Sequence, residues 1–169
     1  MRANRMMCTA ALVVAGTLAG TRAQAADTIN PEPFVRRVVV SIPDRKLAVV
    51  ENNEVVQVFA VAVGAPNSPS PSGTFTIVNR VANPTYYHPG NVIAPGPQNP
   101  IGTRWIGLSQ KGYGIHGTDQ PKSIGFAQSH GCIRLRNADI EQLFERVRAG
   151  DMVELHAERT PEIAWMFEK

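Results

Sequence analysis

Two of the four histidines, His116 and His130, and the cysteine Cys132 fall within 17 consecutive positions. That stretch could do nucleophilic chemistry. A free thiol titrates near ~8.5 and attacks only as a thiolate, so a neighbour must accept its proton. Histidine is the usual partner, and it needs a third group to hold its tautomer. His130 stands two residues before Cys132, so on an extended chain both side chains point the same way, at an awkward approach. His116 lies 16 residues upstream and can sit on an adjacent strand with its ring facing the sulfur. Residue chemistry therefore favours His116 as base and His130 as an orienting or substrate-contacting group. Gly112, Gly114, Gly117, Gly125 and Gly131 punctuate the same stretch. Glycine at that density lets backbone N–H groups approach a ligand closely.

Other readings stand beside this one. A lone cysteine is most often a small buried apolar residue. Two histidines and a cysteine could also ligate zinc or copper. A zinc site, however, uses tighter paired spacings and a fourth ligand, and Asp119 and Asp139 fit no such pattern; no metal and no cofactor is expected. Arg134 alone reads as a surface ion pair, and beside Cys132 equally as a planar fork for a carboxylate. Arg104, Tyr113 and His88 are weaker candidates for lining a groove; His156 is not expected to be catalytic.

These residues need a rigid frame, and the sequence describes one. Arg37–Ile42, Lys46–Glu51, Glu54–Val63, Gly73–Val81, Trp105–Leu108, Tyr113–His116 and Met152–His156 read as short strands, with Asn52-Asn53 as a hairpin turn. Residues 82–100 hold five prolines and two glycines, which excludes regular structure over most of that span; a long ordered loop of this kind is usually functional. One helix is clear, over 138–148. Asn137 is its expected N-cap, Ile140, Leu143, Phe144 and Val147 form one apolar face, and Gly150 supplies the stop. Pro161–Lys169 reads as a short helix packed on the domain. The fold class is mainly β, a sandwich or barrel-like core with one main helix and long Pro/Gly loops.

Composition narrows the function further. A chain of 169 residues with 43% hydrophobic and 18% charged residues is neither disordered nor a polyelectrolyte. Arg2 and Arg5 precede an apolar run, Met6–Leu18, too short to span a bilayer; Ala23-Gln24-Ala25 then gives a small-x-small cleavage site. Residues 1–25 thus read as a secretory signal peptide, 26–36 as a flexible lead-in, 37–157 as the catalytic domain and 158–169 as a C-terminal tail. The 17 basic residues exceed the 14 acidic by three, and Arg2, Arg5 and Arg22 are three of those 17. A chain cleaved after Ala25 is formally neutral, with Cys132 as its one cysteine because Cys8 is removed. No nucleic-acid partner and no lasting membrane anchor are expected, and the expected location is the periplasm.

Ser129-His130-Gly131-Cys132-Ile133-Arg134, with Ile115-His116-Gly117-Thr118 upstream, resembles the signature of the L,D-transpeptidase (YkuD-type) catalytic domain. Pro71–Phe75, Asn83-Pro84, Pro95-Gly96-Pro97 and Asn99–Trp105 resemble its strand entry and active-site loop. The resemblance implies a β-rich catalytic fold with Cys132 as nucleophile and His116 as base. Gly117 would offer its carbonyl to orient the ring. His130, Gly131 and Cys132 would turn N–H groups toward the oxyanion, and Arg134 would contact substrate, with Ser129, Arg104 and Tyr113 alongside. Twelve residues separate His116 from Ser129, a closer spacing than in some members, and some members carry Asn where Arg134 stands; both features point to a subgroup.

The implied reaction is acyl transfer on peptidoglycan stem peptides, which serve as donor and acceptor. The amine acceptor would be a second stem peptide, a D-amino acid or the lysine of an envelope protein. Water as acceptor would make the protein an L,D-carboxypeptidase. A non-catalytic peptidoglycan-binding module is the alternative from another class.

Overall fold

The three side chains of Val38-Val39-Val40 are all fully buried, which requires cover on both faces of the strand that carries them. A computed structural model describes residues 34–168. The expected signal peptide at 1–25, with Cys8, and most of the lead-in lie outside the described residues. In chain order the strands are β1 (Arg36–Ser41), β2 (Lys46–Glu51), β3 (Glu54–Ala60), β4 (Val63–Gly64), β5 (Gly73–Ala82), β6 (Tyr86–His88) and β7 (Asn91–Ile93). There follow β8 (Arg104–Leu108), β9 (Gly114–His116), β10 (Ala127–Ser129), β11 (Ile133–Arg134), helix α1 (Asn137–Arg146), β12 (Met152–His156) and helix α2 (Pro161–Phe167).

Eight strands form one sheet in the order β11-β9-β8-β5-β12-β1-β2-β3. The sheet curls until its ends meet. Just beyond β3, Ala62 exchanges two backbone hydrogen bonds with Arg134 of β11, each 2.9 Å. Closure of this kind removes the exposed edge that an open sheet would leave on β11. The β2–β3 hairpin turns through Asn52 and Asn53 with φ of 48° and 67°, the left-handed region that asparagine tolerates at low cost.

Two apolar layers cover the sheet. On the inner face Val38, Val40, Leu47, Val49, Ile106 and Ile115 pack with Ile140, Leu143 and Val147 from α1 and the turn after it. On the outer face Val39, Ala48 and Val50 pack with Ile163, Met166 and Phe167 of α2. That two-sided cover accounts for the continuous apolar run in β1 where a half-exposed strand would alternate. Burying a side chain of this size stabilises the fold by about 1.5–3 kcal/mol, so α2 fastens the C-terminal tail firmly. Thr160 caps α2 by accepting from the Ile163 N–H at 3.3 Å. No helix among the described residues is long and apolar enough to cross a membrane.

Two details depart from expectation. The Pro-rich span after β5 contains a small hairpin, β6 paired with β7, with Tyr86 opposite Ile93. Helix α1 starts one residue earlier than its periodicity predicts. Its N-cap is Arg136, without a side-chain cap bond. Asn137, the expected cap, is the first helical residue and sends its side chain elsewhere.

Candidate active site

Strand β8 delivers the first of the site's side chains. Trp105 is opposite His116 of β9, and His116 is opposite Arg134 of β11. Directly paired residues share a face of a sheet, so Trp105, His116 and Arg134 form a row across three strands. Ile115 and Ile133, one step away, point into the core. Cys132 precedes β11 by one residue, two before Arg134, and opens on the same face as Arg134. All four line one groove of about 740 Å³. Its opposite wall comes from the Pro-rich loop, including Asn83, Tyr86, Tyr87 and Ile101.

His116 is 5% exposed. Its Nδ1 lies 2.5 Å from the Gly117 carbonyl. A carbonyl can only accept, so Nδ1 carries the ring's hydrogen and Nε2 is left as the basic nitrogen. The ring also stacks on Trp105, with centroids 5.7 Å apart and planes inclined by 21°. Burial pushes the imidazole down to about 4; the Gly117 bond acts in the opposite direction, and the Arg134 charge adds a further lowering. The Cys132 thiol is pushed up by burial, against smaller downward effects from a Gly114 backbone bond and Arg134. It rests 3.7 Å from the Gly112 carbonyl. Both shifts favour neutral partners, a thiol and an imidazole, over a resting ion pair.

The turn that presents Cys132 is tied by Ser129. Its hydroxyl donates to the Cys132 carbonyl at 2.6 Å and accepts from the Gly131 N–H at 3.0 Å. Gly131 adopts φ of 109°, and a side chain there would meet the Tyr113 ring at 2.7 Å. Glycine is therefore required on both counts. His130 is exposed and lines the groove.

Several expected roles change accordingly. The Gly131 N–H is taken up by Ser129 and so is not directed at an oxyanion. Ser129, 2% exposed, lines the groove as expected, but its hydroxyl is taken up by the turn. Tyr113 does not line the groove; its ring packs over Gly131. Arg104 does not line it either. Strand residues alternate faces, so with Trp105 facing the groove Arg104 turns toward α1. There its guanidinium lies 5.4 Å from the Phe144 ring centroid and 3.9 Å from Glu141. Two residues that matter were missed. In the sequence Trp105 only opens a strand and ends the stretch that resembles the active-site loop; its pairing with His116 is what brings it to the groove. The residue type and position of Asn137 predict a cap and nothing more. Among the described residues no three His, Cys, Asp or Glu side chains cluster as a metal site requires.

Comparison with known proteins places the chain by sequence and by fold. The profile of the L,D-transpeptidase catalytic domain, YkuD, matches residues 35–155. The Bacillus subtilis protein YqjB, assigned to the L,D-transpeptidases, is 39% identical over 129 residues, covering 73% of each chain. An L,D-transpeptidase structure from Mycobacterium smegmatis superposes with a TM-score of 0.62 at 23% identity, covering 73% of this chain and 59% of that one. The structure of L,D-transpeptidase LdtMt1 in complex with imipenem superposes with a TM-score of 0.61 at 23% identity, over 73% of this chain and 59% of the other. The chain thus spans about six-tenths of the length of those two solved chains. The profile match over residues 35–155, with a relative 39% identical across 73% of both chains, means that the chain belongs to the L,D-transpeptidase catalytic-domain family.

Proposed function

We propose that the protein is a cysteine-dependent peptidoglycan L,D-transpeptidase. The observation that carries this reading is the groove shared by Cys132 and a buried His116 whose Nδ1 is committed to the Gly117 carbonyl. In the proposed reaction Nε2 of His116 takes the Cys132 proton as the sulfur attacks the carbonyl carbon of the third residue of a stem tetrapeptide. A neutral pair suits transfer during attack, since neither partner pays to hold a buried charge beforehand. The oxyanion is met by backbone N–H groups of the 130–132 turn other than that of Gly131, each worth ~3 kcal/mol of barrier. The C–N bond to the terminal D-alanine breaks, its amine takes the proton from His116, and a thioester remains. An acceptor amine then attacks the thioester; its C–N bond forms, the C–S bond breaks and the thiol is restored.

Arg134 at the groove floor is suited to a substrate carboxylate, and exposed His130 to the acceptor side. Residues 1–25 act as a signal peptide, and the site works in the periplasm, where its substrate lies. The acceptor is a second stem peptide, a D-amino acid or a lysine of an envelope protein.

The test is intact-mass analysis of the cleaved protein with imipenem or a tetrapeptide donor. A covalent adduct absent from Cys132→Ala supports the nucleophile. Muropeptide binding without any adduct would replace the enzyme by a binding module. Free tripeptide in place of a cross-linked product would make it an L,D-carboxypeptidase.

A further inference from the structure

The Asn137 side chain, at the start of α1, reaches back under the site. Its Oδ1 accepts two backbone hydrogen bonds, from the N–H of Thr103 and the N–H of Thr118, each 3.2 Å. Two donors on one atom define it as the oxygen, since the amide NH2 could not face both. The neighbouring backbone is shaped around that atom. Gly102 and Gly117 both approach Oδ1 so closely that a Cβ on either would collide with it.

The Thr118 N–H belongs to the same peptide unit as the Gly117 carbonyl. That unit is planar and rigid. Holding its N–H end at Oδ1 aims its C=O end, and that C=O holds Nδ1 of His116. A peptide donating at one end is also a better acceptor at the other, because aligned hydrogen bonds polarise one another. The same oxygen reaches the opposite wall. Thr103, held through its N–H, accepts at its carbonyl from the N–H of groove-lining Asn83 at 2.8 Å.

We propose that Asn137 is a positioning residue for the catalytic base, acting through the Gly117–Thr118 peptide to hold His116 in its Nδ1–H tautomer and to keep the groove wall at its working distance. The third group that a Cys–His pair needs is the Gly117 carbonyl, and Asn137 holds that group in place through one peptide. The proposal rests on His116 being the base of the proposed reaction.

The test compares Asn137→Ala, which removes the acceptor, with Asn137→Asp, which keeps it. Imipenem acylation is measured in single turnover, normalised to titrated thiol so that a misfolded fraction does not count. The N137A acylation rate constant is expected to fall at least twentyfold with apparent affinity changed less than twofold, whereas N137D stays within about threefold of wild type. Ring 15N shifts of His116 are expected to show the Nδ1–H form in wild type and N137D, and a mixture of tautomers in N137A. Wild-type rates in N137A, equal losses in both variants, or an unchanged tautomer in N137A would overturn the proposal. If N137A does not fold, N137D decides alone: a tenfold loss or a changed tautomer in that variant refutes it. A wild-type protein that forms no adduct refutes the reaction instead, and the tautomer measurement still decides the role of Asn137.

Discussion

The indole of Trp105 lies against the imidazole of His116, and the two side chains occupy paired positions on adjacent antiparallel strands. The contact leaves the histidine ring little room to rotate out of the groove. With Nδ1 held by Gly117 as well, the ring is fixed in position and in tautomer by two separate devices.

Removing the stack should loosen the base without unfolding the sheet. Aromatic pairs contribute about 0.5–1.5 kcal/mol beyond area burial. Trp105→Leu is expected to slow Cys132 acylation roughly two- to twelvefold, by conversion of that energy at ~1.4 kcal/mol per decade. Trp105→Phe should retain most of the rate. Stopped-flow acylation at fixed pH measures both; equal rates in wild type and the leucine variant would show that the stack is passive.

The acidity of the site sets its pH profile. His116 accepts a proton only while neutral, and it is neutral above about 4 rather than above the usual 6.5. Acylation should therefore hold level as pH falls through 6.5 and decline only on approach to 4. A midpoint near 6.5 in the rate against pH would mean that the imidazole titrates as a solvated histidine does.

Ser129→Ala should damage the turn more than the loss of one hydroxyl suggests. The substitution leaves the Gly131 N–H and the Cys132 carbonyl without their partner. An unsatisfied buried group costs about 1–3 kcal/mol. Urea unfolding is expected to show a loss in that range, with a slower acylation rate in the fraction that remains folded. Unchanged stability would imply that water replaces the hydroxyl at no cost.

Arg134 lowers both His116 and Cys132. Arg134→Gln should therefore raise both, moving the acid limb of the acylation profile upward and slowing thiol alkylation at a given pH. Its proposed carboxylate contact adds a second effect, roughly a ten- to hundredfold rise in KM for the peptide donor, since a hydrogen bond to a charged group contributes ~1.5–3 kcal/mol. Arg134→Lys should restore the limb but not the KM, because an ammonium keeps the charge and loses the fork. A lysine variant with wild-type KM would remove the argument for bidentate recognition.

The strands around Val38, Leu47 and Val153 were legible because their pattern is local: apolar runs bounded by turn residues. That Cys132 and His116 line one groove was legible because thiol chemistry demands a partner and few were available. What escaped was set by pairing between distant segments. The faces of Arg104 and Trp105 depend on which strand lies beside β8, which the sequence does not state. Tyr113 was drawn to the groove by its neighbours in sequence, yet the space over Gly131 claims its ring. Asn137 shows the same limit at a helix end. Its type suits a cap, and only the folded loops at Gly102 and Gly117 reveal what its oxygen serves.

The junction of Ala62 with Arg134 has a kinetic consequence. It joins strands far apart in sequence, and such contacts form late because a long loop must close first. Cys132 precedes that seam by two residues, and its proposed base, His116, sits on the strand that pairs with the other edge of β11. Until that seam forms, β11 is held along one edge only, and the proposed nucleophile Cys132 stands at the start of a strand not yet fixed on both sides.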